Sequence, residues 1–396
     1  MKNSNMLLLY IMFSGILVLT GCGGGSDGAP AVQPLAYVGN TNPADITLDN
    51  APTLIVNVLY GGEAAAEIPT GVSVSDMTGP GEDVPLSYKL ASLLRYSFTS
   101  FFGDVTSGYY IPTGFLVDET IQCETGYYTF KGTLDDVYGT GTLQVEYVGC
   151  VLEGSTYNGS GTMTIYNIDI YTGSFGASLD FVLLTISGPN LSGAMSGSIS
   201  LNEYIYGTQA TQSLVFNAVT RDDLLNKMFK YDNYVMNISV ADIYDPASSV
   251  EMRIEGTVYD SIYGGISAQT LLPLVFSSLM NTEPESGGPI LMTGNNSRMQ
   301  ITAESIKHAL LELDLDNNGN FELMRYLLWQ ELDDPGSIDL TDTDLDGMHD
   351  SWELLNNLDP NTDDSADDAD SDTYTNLQEY QAGSNPQNAS STPGAP

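Results

Sequence analysis

The chain has 396 residues, with 51 Asp and Glu against 11 Lys and Arg and a formal charge of −40. That length allows two or three domains and a substantial core. The charge excludes nucleic acid and anionic membrane surfaces as partners and favours cations.

The N-terminus predicts a targeting segment. Lys2 supplies a positive end and "MLLLYIMFSGILVL" (6–19) an apolar run. A comfortable membrane span needs about 20 residues, so the run fits a signal sequence better. It ends in "LTGC" (19–22), which resembles the bacterial lipobox. The resemblance implies cleavage before Cys22 and lipid attachment to it. Gly23, where an Asp would signal retention, implies the outer membrane. An ordinary secretory signal with an incidental Cys is the alternative. "GGGSDGAP" (23–30) predicts a flexible tether. Two cysteines then remain, Cys123 and Cys150. In an exported chain such a pair predicts a disulfide, worth about 3–4 kcal/mol in the chain-entropy model.

Two stretches predict helices. "PLSYKLASLLRYSFTSFFG" (85–103) has Pro85 in its first turn and Gly103 as a stop. "TRDDLLNKMFKY" (220–231) offers Thr220 as N-cap with Asp222 and Asp223 behind it. Otherwise residues 108–330 carry strand signals. "TLQVEYV" (142–148) sets Leu143, Val145 and Tyr147 against Gln144 and Glu146. "VEMRIEG" (250–256) alternates Val250, Met252 and Ile254 with Glu251, Arg253 and Glu255. "LDFVLLTI" (179–186), apolar on both faces, predicts a central strand. The fold class is therefore mainly β: an antiparallel meander, as a curved sheet, sandwich or open barrel, with a few short helices.

Catalytic patterns are scarce. The histidines are His308 and His349, and neither accompanies a GxSxG, P-loop or Rossmann motif. A carboxylate pair of the glycosidase type is possible but cannot be placed. The tyrosines at 109–110, 127–128 and 204–206 suit either cross-strand pairing or a surface that stacks on sugars or a partner protein.

Acid is concentrated at the end. No Lys or Arg follows Arg325, and residues 331–396 hold 17 Asp and Glu. This asymmetry predicts a separate C-terminal unit. "DLDNNGNFE" (314–322) begins like a calcium loop, but its twelfth position is Arg325. Its leucines alternate and Asn318-Gly319 favours a tight turn, so a β-hairpin is expected.

"DTDLDGMHDSWE" (342–353) has the full D-x-D-x-D-G-x5-E spacing. Calcium needs six to eight hard oxygens at about 2.3–2.6 Å. Asp342, Asp344 and Asp346 stand at positions 1, 3 and 5, Asp350 at 9 and Glu353 at 12. Gly347 takes the positive φ of the turn, and the carbonyl of Met348 is the seventh-position ligand. A second loop has Asp368, Asp370, Asp372, Asn376 and Glu379 in the same places and Tyr374 at position 7. Thr373 replaces the glycine and predicts a weaker site. Asp359, Asn361, Asp363, Asp364 and Asp367 lie between the loops as further oxygen donors. A short helix follows each loop.

Residues 342–386, with their DxDxDGxxDxxE loop, "LDP" link and "NLQEYQAG" followed by "NP", resemble bacterial thrombospondin type-3 repeats. The resemblance covers about a ninth of the chain. It implies structural Ca2+ on an exported protein, held by the loop residues above. The expected organisation is a signal peptide (1–21), a tether (22–40), a β-rich domain with an N-terminal helical part (41–330), a linker (331–341), a calcium module (342–388) and a disordered tail (389–396). The expected whole is an outer-membrane lipoprotein, tied to the membrane by its lipid, with a β-rich domain of unassigned role. A glycan-binding or adhesive surface protein and a carboxylate-dependent hydrolase are the rival readings for that domain.

Overall fold

The computed structural model describes residues 32–66 and 115–393, apart from 136–138, 153, 170, 171, 173, 190, 279–282, 322, 334–337 and 339. Cys22, the signal segment and the helix expected at 85–103 lie outside the described residues.

After helix α1 (Ala51–Ala66) the described residues form fifteen strands. They are β1 (Phe115–Gln122), β2 (Tyr127–Leu134), β3 (Gly141–Leu152), β4 (Ser155–Asp169), β5 (Ser174–Gly188), β6 (Leu191–Tyr206), β7 (Gln209–Asp222) and β8 (Lys227–Val240). Then come β9 (Val250–Asp260), β10 (Gly264–Thr270), β11 (Leu274–Phe276), β12 (Ser286–Thr293), β13 (Arg298–Ala303), β14 (His308–Asp314) and β15 (Leu323–Leu328). All belong to one antiparallel sheet in which sequence neighbours pair, except that short β11 pairs with β9 and β12. The meander expected from period-two alternation is what forms.

Leu143, Val145 and Tyr147 face the core from β3, as do Met252 and Ile254 from β9, while Glu251, Arg253 and Glu255 face outward. One apolar cluster runs from Tyr128 and Phe130 on β2 to Leu311 and Leu313 on β14. Helix α1 packs on β8, β9, β10 and the 3-10 helix Trp329–Asp333 beyond β15, so the sheet curls around it. Leu54, Ile55 and Val58 of α1 are buried, and Val58 accepts the Tyr234 hydroxyl at 2.7 Å. Cys123 and Cys150 form the expected disulfide, tying the end of β1 to β3.

Three expectations are corrected. Residues 220–231 are not helical: β7 and β8 pair across a turn in which Asp222 accepts the N–H groups of Leu224 and Leu225, each at 2.8 Å. An aspartate that closes a turn looks in sequence like one that opens a helix. Residues 179–186 are in the central strand expected, β5 between β4 and β6, but their apolar residues do not line both faces: a bulge slips the register between Phe181 and Leu184 and turns both inward. The tether meets the sheet before residue 40: Leu35 donates to Ser196 Oγ at 2.7 Å and Asn40 to the Ser261 carbonyl at 3.0 Å.

Candidate metal centre

Residues 33–396 form one compact unit, and the acidic segment is docked on the sheet rather than separate from it. The expected linker contributes Leu332 and Leu340 to the core. Two short helices follow the loops, α2 (Asp350–Leu355) and α3 (Asn376–Ala382). His349 caps α2, its Nδ1 accepting the Trp352 N–H at 3.1 Å, and Thr375 caps α3 in a reciprocal pair with Gln378. Tyr380 of α3 packs edge-on against Trp352, His349 and Tyr326, and donates its hydroxyl to the Tyr326 carbonyl at 3.0 Å. Gly383 ends α3 at φ +67, against the imidazole of His308. A Cβ there would lie 2.5 Å from His308 Nε2. Gly383→Ala is therefore expected to lower stability by about 1–3 kcal/mol through crowding and to speed proteolysis within 342–393. Equal proteolysis of variant and wild type would count against this docking.

Both loops take the same backbone course. Asp346 donates its N–H to Asp342 and Asp344, Gly347 to Asp342, and Met348 to Asp346. Asp372, Thr373 and Tyr374 repeat the pattern onto Asp368, Asp370 and Asp372. Positions four and six have positive φ in each: Leu345 and Gly347, then Ser371 and Thr373. Thr373 sits at φ +87, the strained conformation its sequence position predicts.

The carboxylates converge. Oxygens of Asp342, Asp344 and Asp346 lie within 4.8 Å of one another, as do those of Asp346, Glu353 and Asp364, and those of Asp368, Asp370 and Asp372. Glu353 and Glu379 are fully buried, and none of their four carboxylate oxygens has a hydrogen-bond partner. Asp344, Asp346, Asp370 and Asp372 each keep one buried oxygen without a partner. Buried carboxylates are ordinarily satisfied. Burial, reinforced by the charges of Asp346, Asp344, Asp364 and Asp350, pushes Glu353 up to about 8. Burial, opposed by the neighbouring Ser384 hydroxyl and reinforced by the charges of Asp370, Asp372 and Asp368, pushes Glu379 up to about 7. Asp344 and Asp346 are raised for the same reason, burial first. The orphaned oxygens, gathered in carboxylate clusters, are what a hard divalent ion would satisfy.

The ninth positions do something else. Asp350 takes the Thr343 N–H at 2.7 Å and its hydroxyl at 2.6 Å, and Asn376 takes the Ala369 N–H at 3.3 Å. Both close their loops. Asp364 joins the first oxygen cluster and also meets Asn376 Nδ2 at 3.3 Å, which links the two loops. Asp359 caps a turn through Asn361 and Thr362. The start of the expected disordered tail (389–396) is held: Ser391 Oγ accepts the Asn385 N–H at 3.0 Å, and Ser391 N–H donates to the Asn388 carbonyl at 2.7 Å.

Two ion pairs escape sequence analysis. Arg325 of β15 meets Asp342 at 3.0 Å, both side chains 3% exposed. Arg298 of β13 meets Asp314 at the start of the 314–322 loop, its Nε at 3.1 Å. That loop is the expected connection of a β-hairpin, but eight residues long rather than a tight Asn-Gly turn. Asn318, Gly319 and Asn320 donate to Asp314, Asp316 and Asn318 as in the acidic loops, and φ is positive at Asn317 and Gly319. Burial pushes Asp314 up, but the Arg298 guanidinium and the Gly319 and Asn318 N–H groups outweigh it and hold the carboxyl below its usual range. His308 is engaged on one side: Ser305 Oγ lies 3.2 Å from its Nδ1 while accepting the N–H groups of Lys307 and His308, which closes the turn before β14, whereas its buried Nε2 has no hydrogen-bond partner among the described residues.

No family model, curated protein or solved structure matches this chain.

Proposed function

We propose that this protein is a lipid-anchored envelope protein whose two C-terminal loops bind calcium as a structural ion, fastening the acidic segment onto the edge of its β-sheet. The observation that carries the reading is the pair of fully buried glutamates, Glu353 and Glu379, whose oxygens lack hydrogen-bond partners: Glu353 converges with Asp346 and Asp364, and Glu379 lies in the field of Asp370, Asp372 and Asp368. Asp342, Asp344, Asp346, Glu353 and Asp364 would hold one ion, and Asp368, Asp370, Asp372 and Glu379 the other. The carbonyls of Met348 and Tyr374 stand at the seventh positions. Calcium accepts this many oxygens, whereas magnesium demands strict octahedral geometry and keeps its waters. The lipobox-like stretch at Cys22 supports the anchor and an extracytoplasmic setting rich enough in calcium for affinities on the order of 10⁻⁴–10⁻³ M.

Titration calorimetry on the chain from residue 23, stripped with chelator, tests the reading. Calcium is expected to give heat with saturation in the millimolar range, magnesium much less, and Asp346→Ala to lose the first site. Absence of heat at millimolar calcium would overturn it. Thr373→Gly relieves the strained backbone by about 1 kcal/mol, so it should tighten the second site about fivefold. An unchanged second dissociation constant would show that the strain does not limit binding.

A further inference from the structure

The outer face of the sheet carries a groove of about 320 Å³ across β6, β7, β8 and β9. It is built from two neighbouring rows of cross-strand partners. One row runs Asn202–Ser213–Asn237–Arg253 and the other Tyr204–Thr211–Ser239–Glu251. The alternation of the strands turns all of them away from the core, which takes Leu214, Met236 and Met252 instead. Half-buried Ser213, Asn237 and Ser239 form a low floor. Exposed Tyr204 stands on one side and Arg253 on the other.

The floor is rich in unused hydrogen-bonding groups. Among the described residues, the side chains of Thr211, Ser213, Asn237 and Ser239 are neutral donors and acceptors with no hydrogen-bond partner, although their backbones are paired. Arg253 gives one bond, to the Leu271 carbonyl at 3.4 Å, and has no carboxylate partner among the described residues. In a chain of net charge −40, an arginine left off the abundant acid is available for something else. The backbone under the groove is consumed by ladders on both sides of β7 and β8, so an extended peptide finds no strand edge to join. What the groove offers is hydroxyls, the amides of Asn202 and Asn237, the Arg253 guanidinium with the Glu251 carboxylate in the neighbouring row, and one aromatic ring.

The geometry points to a glycan-binding groove, with Tyr204 stacking on the C–H face of a sugar ring and the Thr211–Ser239 and Ser213–Asn237 pairs hydrogen-bonding its hydroxyls. An aromatic face carries the partial negative charge that attracts such C–H groups. The volume lies at the small end of the range for ligand sites, about 300–1,000 Å³, which suits a few sugar units of a longer chain. Arg253 would select a sugar bearing a carboxylate over a neutral one. This inference is independent of the calcium reading, since the groove lies on other strands.

The test is a glycan array of neutral hexose, N-acetylhexosamine and uronic-acid polymers, probed with the chain from residue 23 in calcium. Wild-type protein should retain a defined subset. Tyr204→Ala should weaken retention about tenfold or more without lowering the melting temperature. Ser239→Trp, which fills the floor, should abolish it. Arg253→Gln should weaken only uronic-acid polymers; equal loss on all three classes would place Arg253 on hydroxyls and leave the groove standing. No retention by wild type, or retention indifferent to both Tyr204→Ala and Ser239→Trp, would overturn the proposal.

Discussion

Arg325→Met is expected to cost about 3–5 kcal/mol of stability in chelator, because it leaves the Asp342 carboxylate buried beside Asp344 and Asp346 without its counter-charge. Arg325 also donates to the Met324 carbonyl at 2.6 Å and to Leu340 at 3.5 Å, so it ties β15, the connecting segment and the first loop together. A bound divalent ion supplies Asp342 with another counter-charge. At calcium about 50-fold above its dissociation constant, binding contributes about 2 kcal/mol, and the loss should shrink by as much as the variant, with Asp342 freed for the ion, binds calcium more tightly than wild type. Arg325→Met/Asp342→Asn should recover most of the stability in chelator, since both charges then leave together. Urea denaturation with and without calcium measures all four quantities. A loss below about 1 kcal/mol, or one indifferent to calcium, would mean that the pair behaves as a solvated surface contact.

Glu353→Gln should change the sign of its effect with the cation. In the chelated chain the Glu353 carboxyl keeps its proton up to about pH 8, whereas an unfolded glutamate loses it near 4.5. Between those values the folded state holds more protons than the unfolded one, so stability falls as pH rises. Glutamine has no proton to lose. The variant should match wild type near the low end of this window and exceed it above the high end, when the native carboxylate is charged and orphaned. In calcium the order reverses. The variant forfeits a ligand of the first site and should lose about 2 kcal/mol of calcium-dependent stabilisation. Calcium must also displace the Glu353 proton, so affinity should rise with pH and binding near neutrality should release protons. A variant that behaves alike in chelator and calcium would remove Glu353 from the site.

The strands were legible because alternation is a local property: Leu143, Val145 and Tyr147 show their face without reference to anything distant. Helix α1 was not, because its apolar run with Ile55, Val56 and Val58 suits strand as well as helix, and only burial inside the curled sheet decides. The 220–231 turn was misread because one aspartate geometry serves two structures. Within the acidic segment, fixed spacing exposed Asp342, Asp344, Asp346 and Glu353, while Asp364 and Arg325 reach the same cluster from outside any repeat. Pairing across the sheet leaves no mark in spacing, so Arg298 and Asp314 went unseen together.

The hairpin loop at 314–322 and the two acidic loops follow the same course, yet the hairpin carries its own guanidinium while the second acidic loop, beyond the last Lys or Arg of the chain, has none. A tethered positive group cannot be diluted or stripped; an ion from solution can. On the calcium reading proposed above, the hairpin loop would be indifferent to the mineral content of its surroundings, and the second acidic loop would take its shape from it. Export from a calcium-poor interior into a calcium-rich exterior would then complete the tail last, after the body had already folded.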